Sequence, residues 1–213
     1  DLDLDGDLDL YICRYLDYDF SSPPIHGDEW SCLWENQQVL CGPRGLPPLP
    51  DLVFENLDGL HFRDVTKEWG FSRCDAGYSL AVAIIDLHGD SHPEIFVAND
   101  SVPNFLFSRY ARSARAGDPT GSGQAIFAQR AMVGGLAVDR DGSSQASMGV
   151  AAGDADGDGR LDLFVTNYFD ESNTLYSQVT DGRFTDATSR ARLREPGWGM
   201  LGFGTQFLDA DLD

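Results

Sequence analysis

The chain has 213 residues, with 15 Lys plus Arg against 35 Asp plus Glu and a formal net charge of −20. That balance argues against nucleic acid and anionic membrane surfaces, whose binders carry clustered Lys and Arg, and it points to cations as partners. A share of 42% apolar residues excludes a disordered acidic tail, and the longest apolar run, Leu80–Ile85, is too short to cross a bilayer.

The acid is lopsided, with 28 Asp and only 7 Glu. Glu favours helix interiors, whereas Asp prefers turns and caps and is a compact hard-oxygen ligand. With 23 Gly and 10 Pro, the composition predicts many short connections rather than long helices. Lys67 is the only lysine, and no function is read from that.

In chain order, a first unit (about 1–75) opens on Asp1-Leu-Asp3-Leu-Asp5-Gly6-Asp7-Leu8-Asp9, followed by an apolar strand at Leu10–Ile12. After an insertion at 21–50 come two strands, Leu52–Glu55 and Phe62–Thr66, joined across Asp58-Gly59. Asp-Gly between apolar runs is a strong hairpin signal.

The second unit (about 76–144) starts with a small-residue strand, Ser79–Ile85, and runs into Asp86-Leu-His88-Gly-Asp90-Ser91-His92-Pro93-Glu94. An apolar strand at Ile95–Val97 and a looser pair, Phe105–Phe107 and Ile126-Phe127, follow, the pair separated by a polar insertion.

The third unit (about 145–200) repeats the pattern: Ser147–Gly153, then Asp154-Ala-Asp156-Gly-Asp158-Gly159-Arg160-Leu161-Asp162, then Leu163–Thr166. It closes with a hairpin of Thr174–Ser177 and Phe184–Thr188 around Asp181-Gly182. A fourth copy starts at 201–213 with the strand-like run Gly202–Leu208 and the partial loop Asp209-Ala-Asp211-Leu-Asp213.

Each unit therefore predicts four strands: a small inner strand, an acidic loop, an apolar strand and an outer hairpin. Five residues before each later loop the residue is small (Ala81, Gly149, Gly204), as the crowded strand nearest an axis requires. A repeat of roughly 55 to 85 residues is too long for a solenoid rung, and radial repetition of four-stranded units is a β-propeller. The expected fold is all-β, a partial propeller of about three four-stranded blades. Because the chain begins and ends inside the motif, the expectation is a fragment of a longer protein, with an uncovered blade face at each end that promotes association.

The acidic loops carry the chemistry. Carboxylates at alternate positions, a Gly for a sharp turn and a further Asp at position nine can wrap one hard cation. Calcium takes about six to eight such oxygens. The expected metal residues are Asp1, Asp3, Asp5 and Asp9, then Asp154, Asp156, Asp158 and Asp162. The partial copy adds Asp209, Asp211 and Asp213, and the degenerate one Asp86, Asp90 and Glu94. In that degenerate loop His88, Ser91 and Glu94 replace Asp, Gly and Asp, and imidazole is a poor calcium ligand. An EF-hand is excluded, because position twelve is Ile12 or Val165 inside a strand and no helices flank the loop.

Four cysteines (Cys13, Cys32, Cys41, Cys74) allow three pairings, and no C-x-x-C spacing points to zinc or a redox site. An oxidising compartment is favoured over scattered thiols. The Pro-rich insertion reads as an ordered surface loop bearing Trp30 and Trp34. A Cys32–Cys41 bond there would close a loop of about ten residues, worth roughly 2–3 kcal/mol.

These residues resemble the FG-GAP/VCBS repeat of integrin-alpha-like propellers, and more closely the cartilage-acidic-protein-like family associated with an ASPIC/UnbV domain. The resemblance rests on Cys41–Leu46, Phe62–Thr66, Val97–Asn104, Gln145–Val150 and Asp154–Asn167, and covers nearly the whole chain. It implies secreted or surface proteins with calcium in blade loops, commonly a seven-bladed ring, and no established catalysis. It also supports the Cys32–Cys41 pairing. The ASPIC/UnbV domain itself is absent from these residues.

Other motifs lack their context. Gly197-Trp-Gly199-Met-Leu-Gly202 matches a dinucleotide fingerprint literally but has no strand before it or helix after it. Gly77-Tyr-Ser79-Leu-Ala81 is no nucleophile elbow. Asp139-Arg-Asp141-Gly142 reads as a turn, Asn99-Asp-Ser101 is a lone sequon, and no histidine belongs to a visible triad. The expected function is a calcium-stabilised extracellular, cell-surface or periplasmic interaction module. It would bind a protein or glycan, with the insertion and the loops at 99–104 and 168–173 as contacts. The alternative is a calcium-dependent carbohydrate-active enzyme such as a polysaccharide lyase, for which Lys67 is the available base and lacks a Tyr or His partner in sequence.

Overall fold

The computed structural model describes residues 1–22, 31–34, 36–40, 42–43, 45–110 and 126–211, with backbone alone for 31–34, 38–40 and 110. The chain is all-β. Its strands are β1 (Leu10–Ile12), β2 (Ser31–Trp34), β3 (Gln37–Leu40), β4 (Leu52–Asn56), β5 (Phe62–Asp64), β6 (Ser79–Ile85) and β7 (Glu94–Asn99). Then follow β8 (Phe105–Tyr110), β9 (Ile126–Gln129), β10 (Gly149–Gly153), β11 (Asp162–Thr166), β12 (Thr174–Thr180) and β13 (Arg183–Asp186). They form three antiparallel sheets in sequence order, β1-β4-β5, β6-β7-β8-β9 and β10-β11-β12-β13, with β2-β3 a separate hairpin inside the Pro-rich insertion. No helix among the described residues is long and apolar enough to cross a membrane.

The sheets stack face to face, and β7 explains why. All six of its residues are buried. Successive side chains on a strand point to opposite faces, so Ile95 and Val97 enter a core with Leu2, Val53, Val65, Trp69 and Phe71 of the first unit. Phe96 and Ala98 enter a second core with Leu163, Val165, Tyr176 and Phe184 of the third. A strand with two buried faces must be apolar at nearly every position, which is what the run at 95–98 shows. The first core is closed by the 3-10 turn Phe71–Arg73, where Phe71 stacks on Phe127 at 4.9 Å between ring centroids.

Registers place equivalent residues at equivalent points. Leu10 pairs with Phe54, Ile95 with Phe107 and Leu163 with Tyr176, so Asn56, Arg109 and Gln178 occupy one repeat position. The first strands β6 and β10 lie side by side, as expected of inner strands.

The small residues there have a geometric cause. A Cβ on Gly149 would sit 1.8 Å from the Phe203 carbonyl oxygen, because the chain at 202–208 runs directly over β10. That run differs from expectation. Gly202–Leu208 forms no strand, whereas in the second and third units the run before the acidic loop ladders with the strand after it. It is instead fastened by Gly202 N–H to the Asn167 carbonyl at 3.4 Å and by Thr166 Oγ1 to the Phe203 carbonyl at 3.4 Å.

Cys13 and Cys74 are free thiols packed against the first core, so no disulfide joins described cysteine side chains. The Cys32 side chain and Cys41 lie outside the described residues.

Candidate metal centres

The acidic loops share one backbone shape. Positions four and six have positive φ in all three: Leu4 and Gly6, Gly89 and Ser91, Gly157 and Gly159. The carboxylate at position one closes each turn. Asp1 Oδ2 accepts from Gly6 N–H at 3.2 Å, Asp86 Oδ2 from Ser91 at 2.8 Å and Asp154 Oδ2 from Gly159 at 2.9 Å. Backbone N–H bonds, that of Gly159 foremost, hold the Asp154 carboxyl below its ordinary value and outweigh desolvation.

Position nine anchors the loop to its sheet. Leu2, Leu87 and Ala155 N–H groups donate to Asp9, Glu94 and Asp162 at 2.6, 3.0 and 3.0 Å. The second oxygen of Asp9 accepts from Asn56 N–H on β4 at 3.0 Å, and that of Asp162 from Gln178 N–H on β12 at 2.9 Å. Each carboxylate oxygen retains a further lone pair for a cation.

The result is convergence at two loops. Carboxylate oxygens of Asp1, Asp3 and Asp9 lie within 4.8 Å of one another, and so do those of Asp154, Asp156 and Asp162. In the first loop Asp1 Oδ1 is buried without a hydrogen bond among the described residues, and so is Asp7 Oδ1. Desolvation, then the charges of Asp5 and Asp9, pushes the Asp3 carboxyl above its ordinary value. Buried, crowded, unsatisfied carboxylate oxygen is a donor set that fits a hard divalent cation.

Position five does not join either group. The left-handed residue at position four reverses the chain, so alternate spacing no longer places position five with one and three. Asp5 Oδ1 instead accepts from Asp7 N–H at 3.1 Å, and Asp158 pairs with Arg160.

Among the described residues Asp86, Asp90 and Glu94 form no such group, and neither do Asp209 and Asp211. Asp213 lies outside the described residues. In the second loop His88 holds the position of Asp3 and Asp156 and turns across to the third sheet. Its Nδ1 bonds Asp181 in the β12–β13 turn, and its Nε2 lies 3.5 Å from Glu94 Oε1. Glu94 is 3% exposed, and burial, against the opposing charge of His88, pushes its carboxyl up to about 7. Desolvation pulls the His88 imidazole down, but the Asp181 bond and the Glu94 and Asp181 charges carry it above its ordinary value.

The loops at 99–104 and 168–173 divide. Asn99 and Asn167 are fully buried and bind their own loops, donating to the Pro103 and Ser172 carbonyls at 2.8 Å each. A buried Asn99 removes the sequon from the surface. Tyr168 and Phe169 remain exposed. Lys67 lines an open surface hollow with Asp64 and Glu68, and among the described residues no Tyr or His shares that lining. Sequence reading missed the shared position of Asn56, Arg109 and Gln178, although aligning the repeats on their apolar strands exposes it. Comparison of the chain with models of known protein families and with curated proteins finds no match.

Proposed function

We propose that the chain is a calcium-stabilised interaction module of β-propeller type, acting outside the cytoplasm and binding a protein or glycan through one face of the stacked sheets. Three features support the propeller: successive four-stranded meanders, inner strands β6 and β10 side by side, and a β7 that feeds cores on both faces. One observation carries the metal. The same three loop positions converge in two separate copies, at Asp1, Asp3 and Asp9 and at Asp154, Asp156 and Asp162. Asp5 and Asp158 supply no ligand oxygen in this reading, and backbone carbonyls and water complete each shell.

Calcium would neutralise the clustered charge and bridge each loop to the strand that follows it. Isothermal calorimetry tests this, with expected dissociation constants of about 10⁻⁴ to 10⁻³ M, the range of extracellular calcium modules. Asp3→Ala and Asp156→Ala should each remove one site. Absence of calcium heat at millimolar concentration refutes the metal reading. Screening on glycan arrays and uronate polymers tests the binding role, and depolymerisation of a uronate polymer would replace it with a lyase.

A further inference from the structure

We propose that the cleft between β8 and the β12–β13 turn binds a tetrahedral oxyanion, sulfate or phosphate, as the free ion or as a monoester. The cleft has a volume of about 280 Å³ and lies where the second sheet meets the third. Arg109, Arg130 and Arg183 line it, together with Ser108, His88 and Asp181. In a chain of net charge −20 with 15 basic residues, three arginines around one hollow are a marked local reversal of sign.

Arg109 is the decisive residue. Its Nη1 is buried and has no hydrogen-bond partner among the described residues. A buried donor on a permanent charge is costly unless an anion meets it. The framework does not explain the charge either. At the same repeat position Asn56 Nδ2 donates to the Leu8 carbonyl at 3.1 Å, and Gln178 Nε2 to the Leu87 carbonyl at 3.0 Å. A neutral amide therefore suffices where the position serves only the fold.

The other walls agree. Arg183 Nη1 donates to the Val133 carbonyl, which holds that guanidinium at the cleft with further N–H groups to spare. Asp181 is the one carboxylate among the described lining residues, and His88 Nδ1 already engages it. Planar guanidinium forks match the paired oxygens of sulfate and phosphate. The cleft is larger than one such ion, which leaves room for the group that carries it. The cleft shares His88 with the second acidic loop but no residue with the converging groups of the first and third loops, so it stands apart from the calcium reading.

Calorimetric titration of the full chain tests it, with inorganic sulfate, inorganic phosphate and a sulfated monosaccharide as three arms. Ionic strength is balanced with chloride, because sulfate also stabilises proteins through general exclusion. The expected result is saturable binding in at least one arm, weakened about tenfold or more by Arg109→Gln and by Arg183→Gln. Arg109→Lys keeps the charge and loses the fork, and should also weaken binding. Tighter binding of the sulfated sugar than of free sulfate assigns the site to an ester; equal binding assigns it to the free ion. If Arg109→Gln does not fold, Arg183→Gln decides. No saturable binding in any arm overturns the proposal, as does the same affinity in wild type and in the folded Arg→Gln variants.

Discussion

Replacing Asp162 by Ala should destabilise the third sheet even without calcium, by an amount that follows from the bonds it breaks. The side chain is 2% exposed and accepts from Ala155 N–H at 3.0 Å and Gln178 N–H at 2.9 Å. Alanine strands both donors, the Gln178 N–H in a buried position and the Ala155 N–H in a part-buried one. A buried unsatisfied group costs about 1–3 kcal/mol, so the Gln178 N–H sets the loss and the water-accessible Ala155 N–H adds less, still a large share of a typical domain stability of about 5–15 kcal/mol. Asp156 is exposed and accepts no backbone hydrogen bond among the described residues. Asp156→Ala should therefore change stability by no more than about 0.5 kcal/mol in chelator.

Calcium reverses the contrast. With a dissociation constant of about 10⁻⁴ to 10⁻³ M, one site at about 10 mM calcium adds roughly 1.4–2.7 kcal/mol. Asp156→Ala should lose that increment for its loop while keeping the apo stability. Urea unfolding in chelator and in calcium, compared through midpoints at constant slope, separates the two roles. Equal destabilisation by both variants in chelator would refute the anchoring role of position nine. Full calcium stabilisation in Asp156→Ala would refute the third-sheet metal site.

Melting temperature in chelator should fall as pH rises from about 5 to 8. The His88 imidazole sits above its ordinary 6.5 and the Glu94 carboxyl is raised to about 7, so over this window the folded chain binds more protons than the unfolded one. Glu94→Gln should flatten the profile, because it removes the raised carboxyl and one of the charges that raise His88, and an unchanged slope in that variant would remove the pair as its cause. Gly149→Ala should cost about 1–3 kcal/mol or more, since its Cβ meets the Phe203 backbone at 1.8 Å, whereas Gly204→Ala, with nothing within 4 Å, should stay within about 0.5 kcal/mol. Thermal denaturation of both variants checks this, and equal effects would contradict the close approach of 202–208 to β10.

Strand positions were legible because burial on two faces leaves a pattern. The runs at Ser79–Ile85 and Ile95–Val97 are apolar or small throughout, and they became β6 and β7. Gly202–Leu208 has the same composition without a ladder partner, and composition alone does not make a strand. The structure brings together positions one, three and nine of two acidic loops and leaves position five outside both groups. Alternate spacing assumes an extended backbone, and a left-handed Leu4 or Gly157 breaks it. The His88–Asp181 contact joins residues 93 apart in sequence, and the Arg109 cleft needs β8, β13, the turn between β12 and β13, the segment at 130–134 and the second acidic loop. Neither leaves a local pattern to read.

The second loop separates what the turn needs from what a cation would add. It keeps positive φ at Gly89 and Ser91, the Asp86 bonds to Asp90 and Ser91 N–H at 3.1 and 2.8 Å, and the Leu87 bond to Glu94 at 3.0 Å. Its carboxylates nevertheless do not converge, because position three is His88, whose ring reaches the neighbouring sheet instead. The loop therefore closes on its own hydrogen bonds, with Asp86, Asp90 and Glu94 serving as internal acceptors. The carboxylates at position three, Asp3 and Asp156, are thus the addition that completes each converging group, made to a turn that positions one and nine already close. A cation bound there stabilises a structure that is already formed, unlike a zinc finger, whose fold depends on its metal. This is why calcium and chelator should shift the midpoint of unfolding without changing the strand content that precedes it.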